Sequence, residues 1–331
     1  MALLSRFLAG TLLLATSVKF VLLASVVAAQ TSPPPAPDLV GVGNFKHVVE
    51  NIEKSIAFYR DALGMEQDGP IRNLSTTTFG NLAGIQSRLI SLHLGSNVLG
   101  VELIEFKGAD HKTEEIRFQD PGTATLVVLV RDIDAIVVRL KAAGGRVFGN
   151  TSSPFPTPTG NKQIFMKDPD GFIVRLEQGK TADRLMSLPG NAVGLGFEVA
   201  VDSTEKTKQF YRDLFKLDFR MADVTNPDDD TVGKTLGALF LRTPGWFPNK
   251  SFSMGFIEYK DIDRKIFNSA VQDPGTPILQ LNVRDLDGLL KKLKAAGYPV
   301  ILPADLPVTL DEGRFVIVKD PNDLRLELVQ H

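Results

Sequence analysis

Residues 119–144 read QDPGTATLVVLVRDIDAIVVRLKAAG, and residues 272–297 read QDPGTPILQLNVRDLDGLLKKLKAAG. Both runs pass in the same order through a proline turn, an apolar strand, an Arg-Asp step and an amphipathic helix closed by glycine. The turn cannot extend a helix, because proline lacks the amide donor and fixes φ. Ala124 to Val130 then predicts a buried strand, and Ile133 to Ala143 a helix ended by Gly144. Asp132 and Asp285 stand where a carboxylate caps a helix, so the repeated Arg-Asp pair signals capping rather than catalysis. Working outward, Phe58-Tyr59-Arg60-Asp61 recurs as Phe210-Tyr211-Arg212-Asp213, and Lys167-Asp168-Pro169-Asp170 as Lys319-Asp320-Pro321-Asn322. A period of about 152 residues marks a duplicated domain, since solenoid units run about 20 to 50.

Each copy contains a second, fainter repetition. Gly43 to Val49 alternates as a strand, and Ile52 to Leu63 carries Ile52, Ile56, Phe58, Tyr59 and Leu63 at helical spacing before Gly64. Arg88 to Leu94 and Val98 to Phe106 predict strands around the turn Gly95-Ser96-Asn97, and Asp168-Pro169-Asp170-Gly171 joins Gln163–Lys167 to Phe172–Gln178. The unit is βαβββ, four times in the chain. This predicts an α+β fold of paired units, with curled open sheets, helices outside and one strand face turned to a cavity. Units could pair within a repeat or in a swapped order.

Composition bounds the rest. The 331 residues, 43% hydrophobic and 23% charged, suit about two globular domains. A net charge of -2 argues against nucleic acid as a partner and favours a small molecule. The absence of cysteine removes thiol nucleophiles, thiolate metal sites and disulfides. Residues 1–29 have the Arg6 start, apolar run and Val27-Ala28-Ala29 exit of a signal peptide, which predicts a secreted or periplasmic protein. A retained membrane anchor is the alternative, opposed by Lys19 within the apolar stretch. Residues 30–39 are a proline-rich linker, 40–180 the first domain, 181–191 a second linker and 192–331 the second domain. Asn73-Leu74-Ser75, Asn150-Thr151-Ser152 and Asn249-Lys250-Ser251 fit a glycosylation pattern common by chance.

VENIEKSIAFYRDALGM at residues 49–65 and KDPDGFIVRLEQ at 167–178 resemble the opening and closing signatures of the vicinal oxygen chelate superfamily. VDSTEKTKQFYRDLFKLDF at 201–219 and KDPNDLRLELVQ at 319–330 repeat both. That superfamily includes glyoxalase I, extradiol dioxygenases and bleomycin resistance proteins. The resemblance implies a divalent metal (iron, manganese, nickel or zinc) held by His or Glu from four strands. The first-strand position falls on Asn44 and Gly196, and the fifth-strand position on Thr125 and Ile278. The fourth-strand position falls on Glu102 and Gly255, and the last on Arg175 and Glu327. One ligand per repeat is too few for a catalytic metal, so no cofactor is expected. An alternative metal set would be His47, Glu102 and Glu327.

Strand parity sends Lys46, Glu102, Thr125, Arg175 and Glu177 into one cavity, and Glu198, Gln280, Asn282, Arg325 and Glu327 into the other. Glu102, Arg175, Glu198 and Glu327 are the catalytic candidates. Arg175 would pair with Glu102 or a ligand carboxylate, and Glu198 beside Glu327 would give a general base. A purely structural salt-bridge network is the alternative for both sets. His47 falls on the helix-facing side, and Gly245-Trp246-Phe247-Pro248 reads as a lid, a dimer contact or a buried anchor. Three functions stay open: a metal-independent binder of a small polar or anionic molecule, a metal-dependent glyoxalase-type lyase, isomerase or dioxygenase, and a scaffold. A homodimer is compatible with each.

Overall fold

The computed structural model describes residues 38–74, 85–95, 100–149, 151–157, 160–179, 189–217, 241–243, 254–298, 300–302, 308–310 and 313–331. The expected signal peptide, most of both linkers and the Trp246 segment lie outside the described residues, as do Ser75, Asn150 and the whole triplet at 249–251. Among the described residues no helix is long and apolar enough to cross a membrane.

Four modules follow one another. The first holds β1 (Leu39–Val48), helix α1 (Ile52–Ile56), β2 (Glu66–Leu74), β3 (Gln86–His93) and β4 (Gly100–Lys107). The second holds β5 (Ala124–Val130), α2 (Ile133–Ala142), β6 (Arg146–Phe148), β7 (Phe155–Pro156), β8 (Lys162–Lys167) and β9 (Ile173–Gln178). The third holds β10 (Ala192–Ala200), α3 (Thr204–Phe215), β11 (Leu241–Thr243) and β12 (Met254–Glu258). The fourth holds β13 (Pro277–Val283), α4 (Leu286–Ala295), β14 (Val300–Leu302), β15 (Val308–Leu310), β16 (Gly313–Lys319) and β17 (Arg325–Gln330). Asp132 Oδ1 accepts Ala135 N at 3.0 Å and Asp285 Oδ1 accepts Gly288 N at 2.9 Å, so both Arg-Asp steps are helix caps. Beyond Ile56 the first helix widens into a π-helical stretch, Ala57–Ala62, whereas its counterpart α3 is regular.

The modules pair in swapped order. One sheet runs β14-β16-β17-β13-β1-β4-β3-β2 and joins the first module to the fourth; the other runs β11-β12-β10-β5-β9-β8-β6 and joins the third to the second. Each sheet therefore takes one half from each sequence repeat. The junctions are antiparallel, β1 on β13 and β10 on β5. The repeated Asp-Pro-Gly-Thr turns extend the two junctions: Gly122 N donates to Ala200 O at 2.9 Å beside β10–β5, and Gly275 N to Val48 O at 2.8 Å beside β1–β13. Between the sheets Phe45 of β1 packs on Phe197 of β10 and on Phe172, with ring centroids 4.6 and 5.2 Å apart. Phe45, Phe172 and Phe197 belong to one continuous core of both sheets, which also contains Tyr59 and Tyr211 from the helical segments.

Gly41 of β1 stands opposite Asn282 of β13, and a Cβ at Gly41 would meet nothing within 4 Å. In this cysteine-free chain, Gly41→Cys with Asn282→Cys should close a disulfide under mild oxidation and run as a compact monomer on a non-reducing gel. Val40→Cys with Val130→Cys, which would adjoin only if modules paired within a repeat, should not.

Candidate functional site

The swapped pairing decides which inward side chains meet. On the face opposite the main core, the first sheet brings together Lys46 from β1, Glu102 from β4 and Glu327 from β17. Lys46 Nζ lies 2.8 Å from Glu102 Oε2 and 2.7 Å from Glu327 Oε2, with all three residues buried. Ser91 Oγ donates to Glu102 Oε1 at 3.0 Å, and Arg72 Nη2 lies 3.7 Å from the same oxygen. Burial disfavours the Lys46 ammonium, but the two carboxylates outweigh it and hold the group well above the ordinary lysine value. Burial likewise opposes ionisation of Glu102, and Lys46, Ser91 and Arg72 outweigh it to leave its pKa lowered.

The second sheet repeats the arrangement with signs exchanged. Arg175 of β9 donates through Nη2 to Glu198 Oε1 of β10 at 2.9 Å and lies 3.8 Å from Glu177. Lys46 and Glu198 hold equivalent positions in the duplicated sequence, as do Glu327 and Arg175. Gly255, at the position equivalent to Glu102, leaves room for Glu198, whose Cγ would lie 3.1 Å from an added Cβ. Thr125 stands opposite Glu198 in the strand register.

Two expected combinations are corrected by this topology. Glu102 and Arg175 belong to different sheets and do not pair, and neither do Glu198 and Glu327 share a cavity. The cause is that β1 joins β13 rather than β5. Gln280 and Asn282 lie farther along β13, where Gln280 Oε1 accepts Asn44 N at 3.3 Å and Gln280 Nε2 donates to Asn282 Oδ1 at 3.3 Å. Arg325 sits on the face of β17 that carries Glu327, two residues before it.

His47 occupies the opposite face of β1 from Lys46, as parity predicts, so it cannot join Glu102 and Glu327 around an ion. It instead meets Asp168 and Asp170, a grouping that sequence spacing did not reveal because the ligand atoms converge only through the fold, within 4.8 Å of one another. His47 Nε2 lies 2.7 Å from Asp168 Oδ2, to which Tyr59 OH donates at 2.9 Å. Asp168 Oδ1 accepts the amides of Asp170 and Phe172. Asp170 accepts Glu50 N and Ser55 Oγ. Every carboxylate oxygen is thus engaged, which fits a hydrogen-bonded strut between modules rather than a metal ligand set. The second repeat supports that reading, since Val199, Asp320 and Asn322 stand in the three places. There Asn322 Nδ2 donates to Asp320 Oδ2 at 3.1 Å and to Thr207 Oγ1 at 3.0 Å.

Three tests follow from these geometries. Lys46→Glu should destabilise the protein by about 3–5 kcal/mol by leaving buried carboxylates unpaired, and adding Glu327→Lys should recover most of that loss in urea unfolding. Burial raises the Asp320 pKa from 3.8 to about 6 against its hydrogen bonds. A raised carboxyl pKa contributes stability that is complete below its unfolded value and lost as pH rises through the folded one. The stability difference between the wild type and Asp320→Asn should therefore shift by about 2 kcal/mol in favour of the variant between pH 4 and pH 7.

Comparison with known proteins places this geometry in a family. The profile of the Glyoxalase/Bleomycin resistance protein/Dioxygenase superfamily matches residues 41–176 and 195–328. A Vibrio parahaemolyticus protein described as "Probable lactoylglutathione lyase" is 33% identical over 137 residues, covering 40% of this chain and 87% of that one. Glyoxalase I from Zea mays superposes with a TM-score of 0.56 at 17% identity, over 87% of this chain and 92% of its own, a likeness of fold. With the family profile matching both repeats, the chain belongs to the glyoxalase/bleomycin resistance/dioxygenase, or vicinal oxygen chelate, superfamily.

Proposed function

We propose that this is an exported member of the superfamily that binds a small polar or anionic molecule without the divalent metal that the family often uses. The observation that carries the reading is the Lys46 ammonium between Glu102 and Glu327. These are the two carboxylates that the family resemblance marks as metal ligands. A divalent ion between them would have to displace a cation fixed by the chain. The other two positions of this face, Asn44 and Ile278, supply an amide and a hydrocarbon, which add little to an ion's coordination. In the second sheet Arg175 replaces one carboxylate outright and repels a divalent ion. Lys46, Glu102 and Glu327 on one face, with Arg175, Glu177 and Glu198 on the other, then orient a ligand through charge-assisted hydrogen bonds. Export rests on the character of residues 1–29 alone.

A second reading, a metal-dependent glyoxalase-type lyase, is favoured by the Vibrio relative and by the retention of Glu102 and Glu327. It requires Lys46 to leave the carboxylates when metal arrives. The two readings separate on metal content and stability. The binder should purify with less than about 0.1 equivalent of iron, manganese, nickel or zinc, and its melting temperature should not change with a chelator. Lys46→Ala should lose about 3 kcal/mol and recover part of it in millimolar manganese or nickel, because the freed carboxylates gain a cation. Near-stoichiometric tight metal in the wild type would overturn the binder and make the lyase the better reading.

A further inference from the structure

We infer that Arg325 is an anion-recognition residue that receives a carboxylate carried on an apolar body, at the end of the first sheet's inward face. The inference rests on the small-molecule reading above and names the chemistry of its ligand. Arg325 is only 4% exposed, yet among the described residues its partners are Ser269 alone, through the main-chain oxygen and the hydroxyl. Its Nε has no partner. A guanidinium carries five donors in a planar fork matched to a carboxylate, and burying one without a counter-charge is costly. The two acids that pull on it electrostatically take their hydrogen bonds elsewhere: Asp323 from Lys319 at 2.9 Å, and Asp273 from the amides of Lys112 and Ala270. Burial accordingly lowers the Arg325 pKa to about 10 against the pull of Asp323 and Asp273.

The fold does not need this cation. In the first repeat the positions equivalent to Arg325 and Ser269 are Ile173 and Ile116, both buried hydrocarbons in the main core. A polar pair in place of a working apolar one costs stability, a cost that functional sites characteristically retain. The surroundings of Arg325 indicate the rest of its ligand. Ile278, Arg325's register partner on β13, forms an apolar cluster with Val271, Phe315, Ile317 and Val329. Lys46 and Glu327 bound the polar side, and with Glu102 and Arg72 they set two cations against two carboxylates. Among the described residues the guanidinium is in no salt bridge, so the chemistry that fits is one carboxylate joined to a hydrocarbon or aromatic group.

The test uses the full chain with benzoate, hexanoate and their neutral amides, benzamide and hexanamide, each at about 10 mM, read by thermal melting. The acids should raise the wild-type melting temperature by about 2 °C or more while the amides do not. Arg325→Met should melt higher than the wild type without ligand, having lost an unpaired buried charge, and should lose the response to acids. Arg325→Lys, which keeps the charge but not the fork, should retain part of that response. The proposal fails if Arg325→Met melts lower and keeps the full acid response, which would make Arg325 a strut for the Ser269 loop. It also fails if acids and amides stabilise wild type and both variants alike, an outcome that leaves small-molecule binding standing. No response of the wild type to any of the four probes overturns the subsite as well, and the metal assay above then decides the broader reading by itself.

Discussion

The antiparallel junction of β1 with β13 is the constraint on which the other features depend. It joins strands roughly 240 positions apart in sequence, and every assignment of a side chain to one cavity or the other follows from it. With β1 beside β5 instead, Arg175 would adjoin Lys46 and compete with it for Glu102, and Glu198 would face Glu327 in buried surroundings. The observed order pairs Lys46 with Glu327 and Arg175 with Glu198. The duplicated halves have exchanged cation and anion between equivalent positions, and that exchange favours one of two topologies open to the backbone. Repulsion in the rejected arrangement adds to attraction in the chosen one as a source of specificity.

The same exchange alters the chemistry that the family fold usually supports. A protonated amine at 2.7 and 2.8 Å from two carboxylates supplies the positive charge that a divalent ion would bring. It offers no open coordination position, however, so polarisation of a carbonyl by a Lewis acid is replaced by hydrogen bonding and charge complementarity. The second cavity reaches a comparable balance through Arg175 and Glu198, with Gly255 providing the space.

Much of this was legible in the sequence, for identifiable reasons. Helix and strand periods, the caps at Asp132 and Asp285, and the glycines at 64 and 144 are local signals, and the structure contains all of them. Strand parity placed Lys46, Glu102 and Glu327 on the cavity side and His47 on the other, because alternation is a property of each strand by itself. Which strands adjoin is a long-range property, so the partner of Arg175 was assigned to the wrong sheet. The meeting of His47 with Asp168 and Tyr59 was invisible for the same reason: three residues spread over 121 positions converge only when a turn of one module docks on the helix of another. The π-helical turn at Ala57–Ala62 has no counterpart in the regular α3, although both helices carry the Phe-Tyr-Arg-Asp motif, so that motif did not predict it.

Swapped pairing also sets an order of assembly. The second and third modules are neighbours in the chain, and their sheet has all its strands once β12 has been synthesised. The first module waits much longer. Its β1 edge, carrying unpaired amides and carbonyls beside buried-type side chains, stays open until β13 arrives, and Lys46 lacks its second carboxylate until β17 follows. During synthesis the N-terminal module is the part most exposed to wrong partners. A chain cut short before its last module would keep the Arg175 face but leave Lys46 with Glu102 alone.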